Sequence, residues 1–504
     1  MLEVVSFGLN FLGESRSSGA VHERMETSYQ AAEWASEEFE SAVLNDTRNV
    51  SRLVQIATRV AERPRPKVSE VFDCPKEAQA CYDFLENDRI SVAAVVRASA
   101  EATARKAASL PRILIPCDGA SLTFSDMEGA RGTGSVGSRT KGARGLHVLD
   151  AIALREDGTP LGLMAMDWWA RSMIRNTKHS HLRPVKEREV QHWLVVRESV
   201  RETMARLSPD TVPVFLHDGG ADAWPVLLDI HGRSYKEEIT VVRAAQDRGS
   251  YDGGRGRTYL WSLLKRAPDR WRVRQHIPPG HGRTGRRALL EISVRRVTLD
   301  VRKMPSKKRV NVPLWAIMVR ERGRTPRGQE RLEWILLTNQ PTPTLARARE
   351  VIGWYILRWR VEDHHKTWKK SGSEIERTQL RSLGAMGKWM AIHAAVSARA
   401  LALTHQARTP EAAETPARKV FSEAELTALR ALRAARDMET PVKLHLAQAV
   451  LFVAILGGYM PARGRPPGPK IIRRGLERLA IAATAIEALG AVGPPKKPRK
   501  SRRK

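Results

Sequence analysis

The sequence predicts an α/β protein in which a strand-rich central part is flanked by helical segments at both ends of the chain. Three patterns predict this class. Apolar residues recur at helical spacing in the N-terminal part, extended apolar runs follow from Arg112, and an alanine-rich helical pattern fills the C-terminal part. The chain has 504 residues and 42% apolar content, which is enough for more than one packed core.

The N-terminal pattern predicts a helical domain over residues 25–95. Trp34, Phe39 and Val43 begin a series of apolar residues at three- and four-residue spacing, as on the buried side of a helix. Because a more regular helical pattern begins at Met25, residues 1–24 are expected to be an N-terminal extension, and Met25 is an alternative start to Met1.

Residues 96–405 are predicted to form the strand-rich central domain. RILIPCDGASLTF, HVLDAIAL, LGLMAMDWW, VPVFLHD and EITVVRA are apolar runs of strand length, and turn-forming residues separate several of them. The interval from about 249 to 333 is basic and alternates between apolar and polar residues, which predicts further strands. Helical patterns then return over 406–493.

The charge of the chain indicates a polyanionic partner. Lys and Arg number 85 against 55 for Asp and Glu, which gives a net charge of +30, and a lysine- and arginine-rich tail occupies 494–504. So large an excess destabilises the compact state by self-repulsion unless a polyanion neutralises it. Nucleic acid is the first candidate, because neutralised phosphates release counterions. A generally basic protein, such as one that associates with ribosomes, is the alternative.

Several classes of protein are not favoured by the sequence. The three cysteines, Cys74, Cys81 and Cys117, are too few for a disulfide framework and lack the paired spacing of a zinc site. The longest apolar run, residues 447–460, is too short to span a bilayer. The first residues lack the basic segment of a secretory signal. A cytoplasmic protein is therefore expected.

The stretch WYILRWRVEDHHKTWKK is predicted to belong to one long helix over about 344–370. At about 100° per residue, five of its polar side chains share one narrow face. These are Tyr355, Arg358, Glu362, Lys366 and Lys369. A salt-bridged face in contact with solvent would explain them equally well.

The adjacent histidines His364 and His365 do not predict a zinc site. Neighbouring positions on a helix diverge by about 100°, so the two rings are not expected to share one tetrahedral ion. We expect them to matter least among the polar residues of this helix.

Three carboxylates could instead form a magnesium site. Asp118 and Asp218 each fall where an apolar run stops, and Glu362 lies on the helix just described. Each aspartate by itself could be a turn or cap residue. Together with a glutamate, they could bind two Mg²⁺ ions, one to activate an attacking oxygen and one to stabilise a leaving oxygen in phosphodiester chemistry.

The helix also carries a specific resemblance. The pattern Y-x2-R-x3-E-x6-K at Tyr355, Arg358, Glu362 and Lys369 resembles the YREK signature of bacterial DDE transposases of the insertion-sequence-four family, which includes the transposon-five transposase. Similarity extends over most of the chain after Met25. The segments that carry it include SYQAAEWASEEFESAVLNDTRNVSRL, IPCDGASLTF, LGLMAMDWW, HDGGAD and LGGYMPARGRPPGPKIIRRGLERL.

This resemblance implies a fold and a set of site residues. It implies a ribonuclease-H-like catalytic core with an inserted β domain at about 249–333, an N-terminal DNA-binding domain and a C-terminal dimerisation domain at 406–493. The metal ligands would be Asp118, Asp218 and Glu362, with two Mg²⁺ ions and Mn²⁺ as a substitute. The DNA-binding residues would be Tyr355, Arg358, Lys366, Lys369, Trp334, Arg243, Arg48 and Arg52, with Trp334 stacking near a base flipped out of the duplex.

The implied function is cut-and-paste DNA transposition. The steps would be end nicking, hairpin formation, hairpin opening and strand transfer into target DNA. A homodimer would hold two terminal inverted repeats in a synaptic complex at the bacterial nucleoid.

One departure keeps other functions open. Relatives often read D-R-E-A-D at the second aspartate, where this chain has DGGAD. A catalytically impaired DNA-binding protein or inhibitor is therefore an alternative, and a general ribonuclease-H-like nuclease is a third.

Overall fold

The computed structural model describes nine stretches of the chain, and it has the mixed α/β architecture that the sequence predicts. The stretches are 31–126, 129–137, 142–173, 182–252, 255–267, 270–277, 284–370, 373–461 and 466–491. The predicted extension at 1–24 and the basic tail at 494–504 lie outside them. No helix in the described stretches is long and apolar enough to cross a membrane.

The N-terminal part is a bundle of helices. They are α1 (Ala31–Phe39), α2 (Thr47–Glu62), α3 (Val68–Val71), α4 (Pro75–Glu86) and α5 (Val92–Ala107). The side chain of Asp46 caps α2 by accepting a hydrogen bond from the amide of Arg48. Trp34, Phe39 and Leu53 are buried in the core of this bundle, which explains the helical spacing of its apolar residues.

A mixed sheet forms the centre of the molecule. Its first strands are β1 (Arg112–Thr123), β2 (Gly134–Ser135), β3 (Arg144–Leu154), β4 (Pro160–Trp169), β5 (Val212–His217) and β6 (Ile239–Arg243). The order across the sheet is β4–β3–β1–β5–β6, with β1, β5 and β6 parallel and β3 antiparallel to its neighbours β1 and β4. Residues 113–117 are buried on both faces, so β1 begins as an unbroken apolar run.

The basic interval from 249 extends this sheet and does not build a separate one. Its strands are β7 (Gly249–Asp252), β8 (Arg255–Tyr259), β9 (Arg270–Ile277), β10 (Arg286–Arg302), β11 (Arg309–Arg322) and β12 (Glu333–Thr338). β10 and β11 form a long antiparallel pair, and β12 joins β11 to β6. The strands expected from the alternating pattern are therefore present, and their hydrogen bonds continue those of the central sheet.

Helices cover the sheet and form the C-terminal part. They are α6 (Val190–Leu207), α7 (Trp224–His231), α8 (Leu260–Lys265), α9 (Leu345–Leu357), α10 (Arg360–Lys370), α11 (Leu383–Gln406), α12 (Glu423–Ala434), α13 (Leu446–Leu456) and α14 (Pro469–Ala491). α11 is buried along most of its length and lies against α10, α5 and β4. α12 to α14 share a second apolar core.

Acid is expected to destabilise the fold through His393, which is fully buried in α11 beside the Trp389 ring. Burial, with a smaller effect of Arg473, lowers the pKa of His393 to about 3. The unfolded chain therefore takes up this proton first, near the ordinary pKa of about 6.5, and stability falls as the pH drops from there toward 3. His393→Leu should remove about 2 kcal/mol of the loss between pH 8 and pH 5, measured by urea unfolding at both values.

The exposed His231, replaced by leucine in the same way, is the matched control for this prediction. An unchanged pH dependence in His393→Leu would contradict it. Neither ring nitrogen of His393 has a hydrogen-bond partner in the described stretches, so the replacement leaves no polar group newly unpaired.

Candidate functional site

Asp118 and Asp218 lie at the same level on neighbouring strands. β1 and β5 are parallel, and Cys117 is paired with His217, so the next residue of each strand is an aspartate. Asp218 directly follows β5, as the sequence predicts, and its Oδ1 accepts a hydrogen bond of 2.8 Å from the amide of Gly220. Asp118 is not at a strand end, because β1 continues to Thr123 in its pairing with β3.

The predicted long helix at 344–370 is divided into two. α9 ends at Leu357 and α10 begins at Arg360, with Arg358 and Trp359 in the turn between them. The prediction of one continuous helix was therefore wrong, while Arg358 and Glu362 still form an ion pair four residues apart. The same Arg358 side chain also contacts Asp118 of β1.

The guanidinium of Arg358 joins two of the three predicted metal ligands. Its Nη1 donates a hydrogen bond of 3.0 Å to Asp118 Oδ2, and its Nη2 donates one of 2.9 Å to Glu362 Oε1. Arg358 is only 7% exposed. Burial raises the pKa of Asp118 above its ordinary value, the Arg358 charge opposes this shift, and the Asp218 charge adds to it. Asp118, Asp218 and Glu362 thus belong to one electrostatic centre.

The donor set of this centre suits a hard divalent cation. It consists of carboxylate oxygens, which Mg²⁺ prefers, and a positive charge already lies between Asp118 and Glu362 in the form of Arg358. The three carboxylates are not in mutual ligand contact in the described structure, since only a different group has three ligand atoms within 4.8 Å of one another. The three side chains are of the type that binds Mg²⁺, and Arg358 is paired with two of them in this structure.

That different group is Asp150, His364 and His365, which the structure identifies as a possible metal-binding cluster. His365 Nε2 lies 2.5 Å from Asp150 Oδ1, and His364 Nδ1 lies 2.9 Å from Asp150 Oδ2. The two rings were not expected to share one tetrahedral ion, and the structure places both of them against one carboxylate. Sequence reasoning missed Asp150 itself. The signal was present, because Asp150 is the one charged residue in the apolar run HVLDAIAL.

The other predicted DNA-binding residues near the carboxylates differ in their surroundings. Tyr355 is buried, and its ring packs edge-on against Trp334 at 5.9 Å between centroids. Burial raises the pKa of Tyr355, while the charges of Arg358 and Arg243 lower it, so these side chains share one environment. Arg243 is exposed at the end of β6, where it is paired with Leu336 of β12.

The two predicted lysines of α10 do not lie together. Lys369 donates a hydrogen bond of 2.5 Å to the carbonyl of Ser121 in β1, and it is largely covered. Lys366 is 59% exposed and bonds to Asp363, one turn earlier on the same helix. The structure therefore places Lys369 at the candidate site and Lys366 on the outer surface of α10.

Arg48 and Arg52 lie on α2 in the N-terminal bundle, apart from the carboxylate centre. The Arg48 side chain is 90% exposed and paired with Asp46, and Arg52 donates a hydrogen bond to Gln55. Residues 31–90 match the family described as Transposase DNA-binding. This match supports a transposase or DNA-binding role for the chain and DNA as its partner. It falls within the interval 25–95 that the sequence assigns to a helical DNA-binding domain.

Replacing Arg358 with methionine should destabilise the fold. Met keeps the apolar stem but leaves Asp118 and Glu362 unpaired in a partly buried place, and we expect the free energy of unfolding to fall by about 2 kcal/mol. Urea unfolding in the presence of EDTA measures the change. Arg48→Met is the matched control, because its exposed ion pair should leave stability unaltered. Equal stability of Arg358→Met and the parent would show that the bridge does not hold the site together.

Proposed function

We propose that the chain is a DDE-type DNA transposase that cuts and joins DNA at Asp118, Asp218 and Glu362. The convergence of Asp118 and Glu362 on one guanidinium, with Asp218 directly after the neighbouring parallel strand, carries this proposal. The transposase DNA-binding match over 31–90 supports DNA as the substrate. The strand order β4–β3–β1–β5–β6, with β3 antiparallel to β1, supports a ribonuclease-H-like core.

In this proposal the three carboxylates hold two Mg²⁺ ions, for which Mn²⁺ can substitute. When bound, such ions supply positive charge to the transferring phosphoryl group and activate the attacking oxygen. The chain's own part is to keep the carboxylates oriented. The pairing of β1 with β3 and β5 fixes Asp118, the amide of Gly220 orients Asp218, and the first turn of α10 presents Glu362.

The polar residues around the carboxylates would grip the DNA end. Arg358 can transfer its guanidinium to a phosphate once other cations neutralise Asp118 and Glu362, since its planar fork suits both kinds of anion. Trp334 is half-buried beside Tyr355, which leaves part of its ring to stack on an extruded base. Arg243 and Lys369 offer further positive charge at the two sides of this centre, and Lys366 offers it on the outer surface.

One centre can serve every step of cut-and-paste transposition. Nicking frees a 3′-hydroxyl, which attacks the opposite strand to form a hairpin, and water then opens the hairpin. The 3′-end finally attacks target DNA. Each step is an in-line displacement at phosphorus, so the same oriented groups suffice. We propose that a homodimer holds two ends, with the helices α12 to α14 at its interface.

A DNA-binding inhibitor is the second candidate, and one observation favours it. Gly219 and Gly220 follow Asp218 in place of charged residues, so the centre has fewer groups to contact DNA there. The three retained carboxylates favour the enzyme. DNA binding without metal-dependent cleavage in the parent chain would decide for the inhibitor.

Removal of any one of the three carboxylates should greatly reduce DNA cleavage. We expect Asp118→Ala, Asp218→Ala and Glu362→Ala each to reduce Mg²⁺-dependent cleavage of end DNA by about 1,000-fold, the scale of losing a group that stabilises developing charge. The substrate is a labelled duplex copied from the DNA that flanks the gene, and binding in EDTA is measured in parallel by gel shift.

Asp363→Ala is the control for this experiment, because Asp363 follows Glu362 on α10 and pairs instead with Arg360 and Lys366. It should cleave within a few-fold of the parent. Equal loss of activity in Asp363→Ala, or parental activity in Asp118→Ala, would overturn the assignment of the centre.

The N-terminal arginines should control the salt dependence of DNA binding. Arg48→Ala and Arg52→Ala are each expected to reduce the slope of log K against log salt concentration by about 1, because one phosphate contact is lost. Fluorescence anisotropy with duplex DNA over a salt series measures the slope. The control is Arg97→Ala, an exposed arginine on α5 outside the matched residues, which should keep the parental slope. Equal slopes in all chains would place the DNA elsewhere.

A further inference from the structure

Asp150 occupies an unusual position for a carboxylate. It lies on β3 directly opposite Asp118 of β1, and its side chain is fully buried. A buried carboxylate is costly unless charged or hydrogen-bonding groups surround it. Asp150 therefore needs partners that offset the cost of its burial, and it has them next to a predicted metal ligand.

Asp150 joins the strands to the helix that carries Glu362. Its Oδ1 accepts a hydrogen bond of 2.5 Å from Nε2 of His365, and its Oδ2 lies 2.9 Å from Nδ1 of His364. The second contact is a close approach without hydrogen-bond alignment. Nε2 of His364 donates a hydrogen bond of 2.9 Å to the carbonyl of Ala394, which extends the connection to α11.

Charge stabilises this connection in spite of burial. Burial raises the pKa of the Asp150 carboxyl, but the His365 charge and the contacts with both histidines outweigh it and lower the pKa below its ordinary value. Burial likewise opposes the charged form of His365, and Asp150 raises its pKa above the ordinary value. A lowered pKa for Asp150 and a raised pKa for His365 agree with an ion pair between the two side chains.

The geometry favours direct contact over a bound transition metal. Tetrahedral zinc with bonds of about 2.0–2.2 Å separates neighbouring ligand atoms by about 3.3 Å. The observed separations of 2.5 and 2.9 Å are shorter, so the nitrogen and oxygen atoms meet each other directly.

We propose that Asp150 and His365 form a positioning pair that fixes Glu362 relative to Asp118, and this rests on the proposed function. His365 lies one turn after Glu362 on α10, and Asp150 lies opposite Asp118 on β3. The contact between Asp150 and His365 therefore sets the distance between Asp118 and Glu362. Arg358 and Lys369 also hold α10 to β1, Arg358 through the proposed metal ligand Asp118 and Lys369 through the carbonyl of Ser121.

The test is the metal dependence of cleavage in three variants. In Asp150→Asn the carboxylate charge is lost with little change of shape. In His365→Leu the donor is lost, and in His365→Gln a donor is kept at nearly the same reach. We expect the Mg²⁺ concentration for half-maximal cleavage to rise about tenfold to a hundredfold in Asp150→Asn and His365→Leu, the scale seen for groups that orient metal ligands. His365→Gln should recover part of this loss.

A buried carboxylate elsewhere supplies the matched control. Glu38 is 1% exposed, and its Oε2 lies 3.0 Å from Nζ of Lys106. This ion pair joins α1 to α5 and does not involve α10. Glu38→Gln should lower stability, as Asp150→Asn does, without changing the half-maximal Mg²⁺ concentration. This difference separates positioning of the centre from general destabilisation.

The outcomes distinguish this proposal from the proposed function. Absence of metal-dependent cleavage in the parent chain would overturn both. Parental cleavage with an unchanged half-maximal Mg²⁺ concentration in Asp150→Asn and His365→Leu would overturn the positioning pair and leave the transposase proposal standing. If the purified chain held one zinc ion and Asp150→Asn held none, the cluster would be a metal site and the positioning pair would be overturned. If Asp150→Asn does not fold, the comparison of His365→Gln with His365→Leu decides.

Discussion

The bridge made by Arg358 is the interaction on which the candidate site depends. It brings a carboxylate from β1 and one from α10 to a single guanidinium that is 7% exposed. Burying these charges is costly, and the cost is offset only while all three groups stay together. The bridge therefore ties the start of α10 to the sheet. It also puts a positive charge between Asp118 and Glu362, where the proposed chemistry needs one.

The turn between α9 and α10 follows from the same constraint. Trp354 and Tyr355 are buried against the core, so the end of α9 is fixed by apolar packing. Arg358 in the turn contacts Asp118, and Lys369 near the end of α10 contacts Ser121, so α10 is attached to β1 near both of its ends. Apolar packing and buried charge are thus satisfied by two helices in place of one.

Local patterns were sufficient to predict much of the fold, and they failed where distant residues decide. Apolar runs located β1 and β5, and the paired position of their following residues brought Asp118 and Asp218 together. No proline or glycine marks the turn at Arg358 in the sequence. Its contact with Asp118 is 240 residues away along the chain, so local patterns do not reveal it. Asp150 was missed for a similar reason. A single acidic residue in an apolar strand does not by itself indicate its partner, which here is a histidine of α10.

The basic side chains proposed to act on DNA differ in how far they are buried. Arg358 and His365 are buried and engaged with carboxylates, so neither adds a free positive charge to the surface. Arg48 and Arg243 are exposed, one in the N-terminal bundle and one at the edge of the centre. Because counterion release depends on accessible cations, affinity and its salt dependence should come from the second group. The first group sets geometry, so a change there should alter metal-dependent cleavage more than DNA affinity.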